Sequence, residues 1–96
     1  MNELEKVLYW ILLATTGGSN RGRILDEIMK APQNANVLSK ILNLDFKTIQ
    51  HHIKVLEKNK LICHEGGDGY GKVYFPSELL EENLESYKKI WSKIKK

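Results

Sequence analysis

The sequence predicts a mainly α-helical domain with one small β-hairpin, in a single unit spanning residues 1–96. Three observations predict it. Apolar residues recur at intervals of three and four through the stretches before Asn59 and again after Ser77, the spacing that lines one face of an α-helix. Over residues 61–76 that period gives way to two short β-type runs around a glycine-rich tip. And 96 residues at 42% hydrophobic and 28% charged support one modest core, with no room for a second globular unit.

Residues 2–14 carry Leu4, Val7, Leu8, Ile11 and Leu12 at helical spacing, with Glu3 and Glu5 at the end where a helix dipole favours anions. Thr15 to Asn20 read as a loop, and Ser19 or Asn20 can cap a second helix that turns Ile24, Leu25, Ile28 and Met29 inward before Pro32. Asn34 or Asn36 can cap a third, short helix with Leu38, Ile41 and Leu42 inward. After the turn at Asn43 and Leu44, Asp45 caps a fourth helix, from Phe46 to about Asn59, with Ile49, His52, Ile53 and Leu56 on its inner face. Residues 61–65 and 72–75 form the hairpin, and the glycines of residues 66–71 supply the positive φ angles of its tip. Pro76 and Ser77 stop the second strand and start a last helix over residues 77–96. Its Leu80, Leu84, Tyr87, Trp91 and Ile94 follow a four-three-four-three spacing, the seam of a coiled-coil contact.

Charge follows these boundaries. The net charge of +3 is distributed as −1 over residues 1–20, +4 over 21–60, −1 over 61–76 and +1 over 77–96. The basic excess therefore belongs to the three central helices, the footprint expected of a nucleic-acid contact.

Two short helices joined by a tight turn and followed by a two-stranded hairpin give the order of a winged helix-turn-helix, whose second helix enters the major groove. With Ile49, Ile53 and Leu56 toward the core, Lys47, Thr48, Gln50, His51 and Lys54 project from the other side and from the first turn. Gln50 can offer its amide to adenine and His51 a donor to a base edge, while Lys47, Thr48 and Lys54 suit phosphates. A polar helix face alone is an ordinary solvated surface. Its position after a helix and turn and before a glycine-tipped hairpin makes it a candidate site. His52, three residues after Ile49 and four before Leu56, reads as a core histidine and is set apart. In the wing, Tyr70 and Lys72 are candidates for phosphate or minor-groove contact.

The stretch NANVLSKILNLDFKTIQHHIKVLEKNKLI, with the glycine-rich tip and return strand after it, resembles the ArsR-type winged-helix transcription regulators, particularly archaeal members. The shared features are the Asn34-Ala35-Asn36 opening and the Lys-Thr-hydrophobic-x-His-His-hydrophobic run from Lys47 to Ile53. The resemblance covers about residues 21–76. It implies DNA binding, repression as the expected outcome, and backbone phosphate contacts for Arg21 and Arg23, which open the second helix. Lys60 departs from the family pattern by standing where glycine is usual. The family's metal ligands, paired cysteines near the recognition helix or Asp and His on the last helix, are not matched: residues 34–60 hold no Cys and residues 77–96 neither His nor Cys. No metal and no cofactor is expected.

Other chemistry fits poorly. Gly66 to Lys72 spells Gly-x-x-x-x-Gly-Lys, but Val73 occupies the Ser/Thr position of a P-loop and a strand follows where that motif needs a helix. No serine or cysteine has an evident base partner, so the chain does not read as an enzyme. Cys63 cannot form an internal disulfide, no apolar run is long enough to span a membrane, and the start of the chain lacks a secretory signal, which leads to the expectation of a cytoplasmic protein.

The terminal helices carry the expected partner surface. Leu4, Leu8 and Ile11 of the first helix and Leu80, Leu84, Tyr87, Trp91 and Ile94 of the last are the expected interface of a two-fold homodimer. Such a dimer holds two recognition helices about 34 Å apart and binds a pseudo-palindromic double-stranded operator. The competing reading is a winged-helix module whose terminal helices bind another protein chain.

Overall fold

The structure is a computed structural model that describes residues 2–67 and 71–93. Helix α1 (Glu3–Tyr9) starts at a capping box, in which the Asn2 side chain accepts from the Glu5 amide and the Glu5 carboxylate accepts from the Asn2 amide. The chain continues without a break into a wider π-helical turn, Trp10–Ala14. The second helix, α2 (Gly18–Lys30), begins earlier than the polar loop predicts. Its cap is Gly17, with φ of 88°, and neither Ser19 nor Asn20 serves. A side chain at Gly17 would press on the His52 ring, its Cβ 2.7 Å from Cε1.

Helix α3 (Ala35–Leu42) is capped by Asn34, which accepts from the Val37 amide. Asn43 takes the left-handed conformation, φ 54°, that asparagine tolerates better than most residues. The Leu44 amide returns to the Ser39 carbonyl at 3.1 Å, and the Ser39 hydroxyl donates to the Leu44 carbonyl at 2.6 Å. These bonds fix the short turn into α4 (Phe46–Lys58), which Asp45 caps through the Lys47 amide. Ile41 does not face inward as its spacing predicts. It is 51% exposed, and Leu38 and Leu42 alone carry the buried stripe of α3.

Helix α4 ends in a Schellman arrangement: the Lys60 amide donates to the Glu57 carbonyl and the Leu61 amide to the Leu56 carbonyl. Lys60, at φ 62°, occupies the left-handed position where glycine is usual, at a cost of about 1 kcal/mol. Strands β1 (Ile62–Glu65) and β2 (Val73–Pro76) pair antiparallel in the register Ile62 to Pro76 and His64 to Tyr74. The hairpin also has a contact that local pattern does not reveal. Gln33, in the loop before α3, exchanges two backbone hydrogen bonds with Tyr74, at 3.0 and 2.7 Å, and so fastens the wing to the base of the helix-turn-helix.

The expected single C-terminal helix is two pieces. Ser77 caps a one-turn α5 (Glu78–Glu81), the chain bends at Glu82 and Asn83, and α6 (Leu84–Ser92) follows. Of the seam residues, Leu80, Tyr87 and Trp91 are buried and Leu84 is half-buried, while Ile90, which the seam does not include, is buried beside them, so the counted seam and the buried face are not identical.

Nor does that seam lie on the outside. Leu4, Leu8, Ile11, Leu80, Tyr87 and Trp91 are all buried within a single chain, in one cluster with Ile24, Leu25, Ile28, Ile49 and Leu56. Helices α1 and α6 pack on each other and on the turn between α1 and α2, and Trp91 lies flat over Gly22. These residues close the protomer's core, so they offer no surface to a partner. Ile94 lies outside the described residues. Tyr9 and Trp10, on the outer side of the N-terminal helix, are the aromatic residues left in solvent there, at 42% and 60% exposure.

Candidate nucleic-acid interface

The interface is built on α4. Ile49, His52, Ile53 and Leu56 hold it in the core, and that anchoring fixes the rotation of the helix. Lys47, Gln50, His51 and Lys54 are then exposed on the outer side, with Thr48 half-buried at its edge. A groove of about 570 Å³ runs beside them, between α4, the start of α3 and strand β2. Gln50 and Lys54 line one wall, Asn36 the end near α3, and Lys72 and Tyr74 the opposite side. Among the residues predicted for the site, the structure therefore brings Gln50, Lys54 and Lys72 to one concavity, with Lys47 and His51 on the adjoining crest. Tyr70 lies outside the described residues.

Arg23 is exposed, and its guanidinium donates to Asn20 Oδ1 at 3.1 Å and to the Leu42 carbonyl at 2.9 Å, so it braces the end of α3 against α2. Arg21 corrects the expectation of a phosphate contact. It is only 4% exposed and points inward. Nε donates to the Ile11 carbonyl at 2.9 Å, Nη2 to Thr15 Oγ1 and to the Thr16 carbonyl, and Nη1 to His52 Nδ1 at 3.4 Å. The carbonyls at the end of a helix lack intrahelical donors, and Arg21 supplies them at the end of the N-terminal helix. Burial pulls its pKa below the usual guanidinium range.

His52 is the other half of this contact. Because the arginine can only donate, Nδ1 must accept, which assigns a neutral imidazole with its proton on Nε2. Burial, then the Arg21 charge, then His51 hold its pKa below the ordinary value. The unfolded chain therefore takes up the proton first as pH falls, and stability that is complete above about pH 6.5 declines below it toward the folded-state pKa. Urea midpoints are expected to fall between about pH 7 and about pH 5.5, and the part of that fall due to His52 is lost in His52→Gln. Parallel profiles for the two proteins would contradict this assignment.

The wing is tied to the recognition helix by a side-chain pair that the sequence reading missed. His64 Nδ1 of β1 lies 2.5 Å from Glu57 Oε2 of α4, and the His64 ring meets Tyr74 edge-on at 5.8 Å. Burial and the nearby Glu57 carboxylate raise the Tyr74 hydroxyl pKa. No local periodicity signals this pair, because it depends on how the hairpin folds back onto α4. Asn36 and Phe46 were missed in the same way, although Phe46 stands four residues before Gln50, a spacing that could have drawn attention to it.

No protein-family model and no curated protein matches the chain. Solved structures do. Reduced HlyU from Vibrio cholerae superposes with a TM-score of 0.65 at 19% identity, covering 93% of this chain and 84% of that one. Mb0332 from Mycobacterium bovis, described as a homodimeric winged helix-turn-helix DNA-binding domain, gives 0.68 at 13% identity, over 93% and 79%. An ArsR-like transcriptional regulator from Rhodococcus gives 0.64 at 20%, over 96% and 84%. The chain has the winged helix-turn-helix fold. In winged-helix terms α3 and α4 are the helix-turn-helix pair, β1 and β2 the wing, and Gln33 the stub of a third strand. Among the described residues, no helix is long and apolar enough to cross a membrane, and no three His, Cys, Asp or Glu side chains converge on a metal position.

Proposed function

We propose that this winged helix is a sequence-specific, double-stranded DNA-binding transcription regulator that acts as a homodimer, with α4 in the major groove and the wing against the flanking backbone. One observation carries the reading: the exposed crest of Lys47, Gln50, His51 and Lys54 rises from a helix whose opposite face is locked in the core, with Lys72 across the adjoining groove. One amide and one imidazole that suit base edges thus stand among three cations that suit phosphates. Repression from a pseudo-palindromic operator is the regulatory outcome we attach to it.

Salt titration tests the reading. If Lys47, Lys54 and Lys72 of both protomers neutralise about six phosphates, affinity for duplex falls about 10³-fold between about 50 and about 200 mM salt, and Lys54→Ala lowers the slope. Absence of duplex binding at about 50 mM salt would refute it and favour a module that binds another protein chain.

Homodimerisation is supported by the exposed Tyr9 and Trp10 on the N-terminal helix and by the homodimeric description of Mb0332. Sedimentation equilibrium at tens of micromolar is expected to give a dimer for the unchanged chain and a folded monomer for Trp10→Glu. A monomer in both cases would remove the dimer from the proposal.

A further inference from the structure

We infer that Phe46 is a specificity-determining residue, reading the 5-methyl group of a thymine next to the base read by Gln50. The inference rests on the DNA reading above and extends it to a residue that neither motif nor resemblance assigns.

Phe46 is the first residue of α4 and is 42% exposed, whereas Ile49, Ile53 and Leu56 on the same helix are 2% exposed or less. Packing therefore does not account for the whole ring. Its position does. Phe46, Gln50 and Lys54 stand at i, i+4 and i+8, a stripe along one side of the helix, and all three line the groove with Asn36 and Lys72. The stripe presents, in order, an apolar ring, a bidentate amide and a cation. Among the edges displayed in the major groove of unmodified DNA, the thymine methyl is the apolar one, and aromatic side chains are among its partners. Gln50 suits adenine by the same chemistry. Four residues of helix rise about 6 Å, and successive base pairs about 3.4 Å, so the thymine lies one or two steps from the pair that Gln50 reads. The amide and ring together then favour a short A·T-containing element in each half-site.

Replacing thymine by uracil removes that methyl group and leaves every hydrogen-bonding edge in place, which makes it the direct probe. A duplex selected from a random pool by the full chain is resynthesised with uracil at one thymine at a time, and dissociation constants are read by fluorescence anisotropy. The unchanged chain is expected to lose about fourfold per half-site at one position, and about fifteenfold when both half-sites carry uracil. That position lies one or two steps from the adenine whose preference disappears in Gln50→Ala. Phe46→Ala binds the thymine and uracil duplexes equally, and Phe46→Leu keeps part of the difference; thermal melts of both variants separate lost contact from lost fold. Equal affinity of the unchanged chain for thymine and uracil duplexes at every position, or a discrimination that survives in Phe46→Ala, overturns the inference while leaving the DNA reading intact. Failure to bind any duplex removes both.

Discussion

Gly22→Ala is expected to lower stability by about 3 kcal/mol, although glycine in the interior of a helix normally costs about 1 kcal/mol relative to alanine. The reason is Trp91. A Cβ on residue 22 would sit 2.0 Å from Trp91 Cζ3 and 2.5 Å from Cε3 and Cη2, far inside contact distance. The indole cannot swing clear, because Trp91 is 7% exposed and α6 is held by Tyr87 and Ile90 on the same face. Either the indole or α6 itself must move off α2. For a domain of this size such a loss lowers the melting temperature by about 12 to 24 °C, and Gly22→Val is expected to abolish cooperative folding. Pairing Gly22→Ala with Trp91→Leu should recover part of the loss relative to the sum of the single substitutions. A stabilised Gly22→Ala, gaining the ordinary helix-propensity increment, would show that α6 does not rest on α2 through this contact.

Arg21→Met is expected to cost about 3 kcal/mol and to act on the fold, not on phosphate binding. The guanidinium serves the Ile11 and Thr16 carbonyls, the Thr15 hydroxyl and the His52 ring from one buried position. Methionine fills much of the volume but leaves those acceptors without their donor. Arg21→Lys should fare little better, since an ammonium cannot reproduce a planar fork that reaches several acceptors at once. Urea denaturation measures the loss. The alternative role, a phosphate contact at the start of α2, predicts the reverse pattern: unchanged stability, weaker duplex binding and a shallower salt slope. Because Arg21 joins the end of the N-terminal helix to the back of the recognition helix, its removal also bears on whether α4 keeps its orientation.

The inner face of α4 and the buried Arg21 mark where local sequence signals suffice and where they stop. The inner face of α4 was legible because Ile49, Ile53 and Leu56 repeat at helical spacing and Asp45 marks the start, both of them local properties. His52 was legible as a core residue for the same reason. Arg21 was not. Placed at the start of a helix in a basic segment, it reads as a surface cation, and its inward turn becomes intelligible only when His52, 31 residues away, is brought against it. The last helix failed differently. Counting a seam through residues 80 to 94 assumed one straight helix, but the chain bends at Glu82 and Asn83, and the buried face of α6 takes in Ile90 beside Tyr87 and Trp91. At the site, Gln50 and Lys54 could be predicted from the face opposite the core. Their meeting with Asn36 and Lys72 in one groove depended on the Gln33 to Tyr74 bridge and the Glu57 to His64 pair that set the wing.

By itself the sequence determined the order of helices and hairpin, most of their caps, and a recognition helix with its polar side outward. Those follow from spacing and capping chemistry, which act over a few residues. Tertiary structure decided the disposition of the larger side chains: Arg21 and Trp91 inside, Trp10 and Phe46 outside, and the wing against α4. The helices together carry more apolar side chains than the core covers, and Trp10, Ile41 and Phe46 stay in solvent. Which side chains are covered depends on surfaces that meet across the whole chain, and that long-range complementarity is not written in any local period.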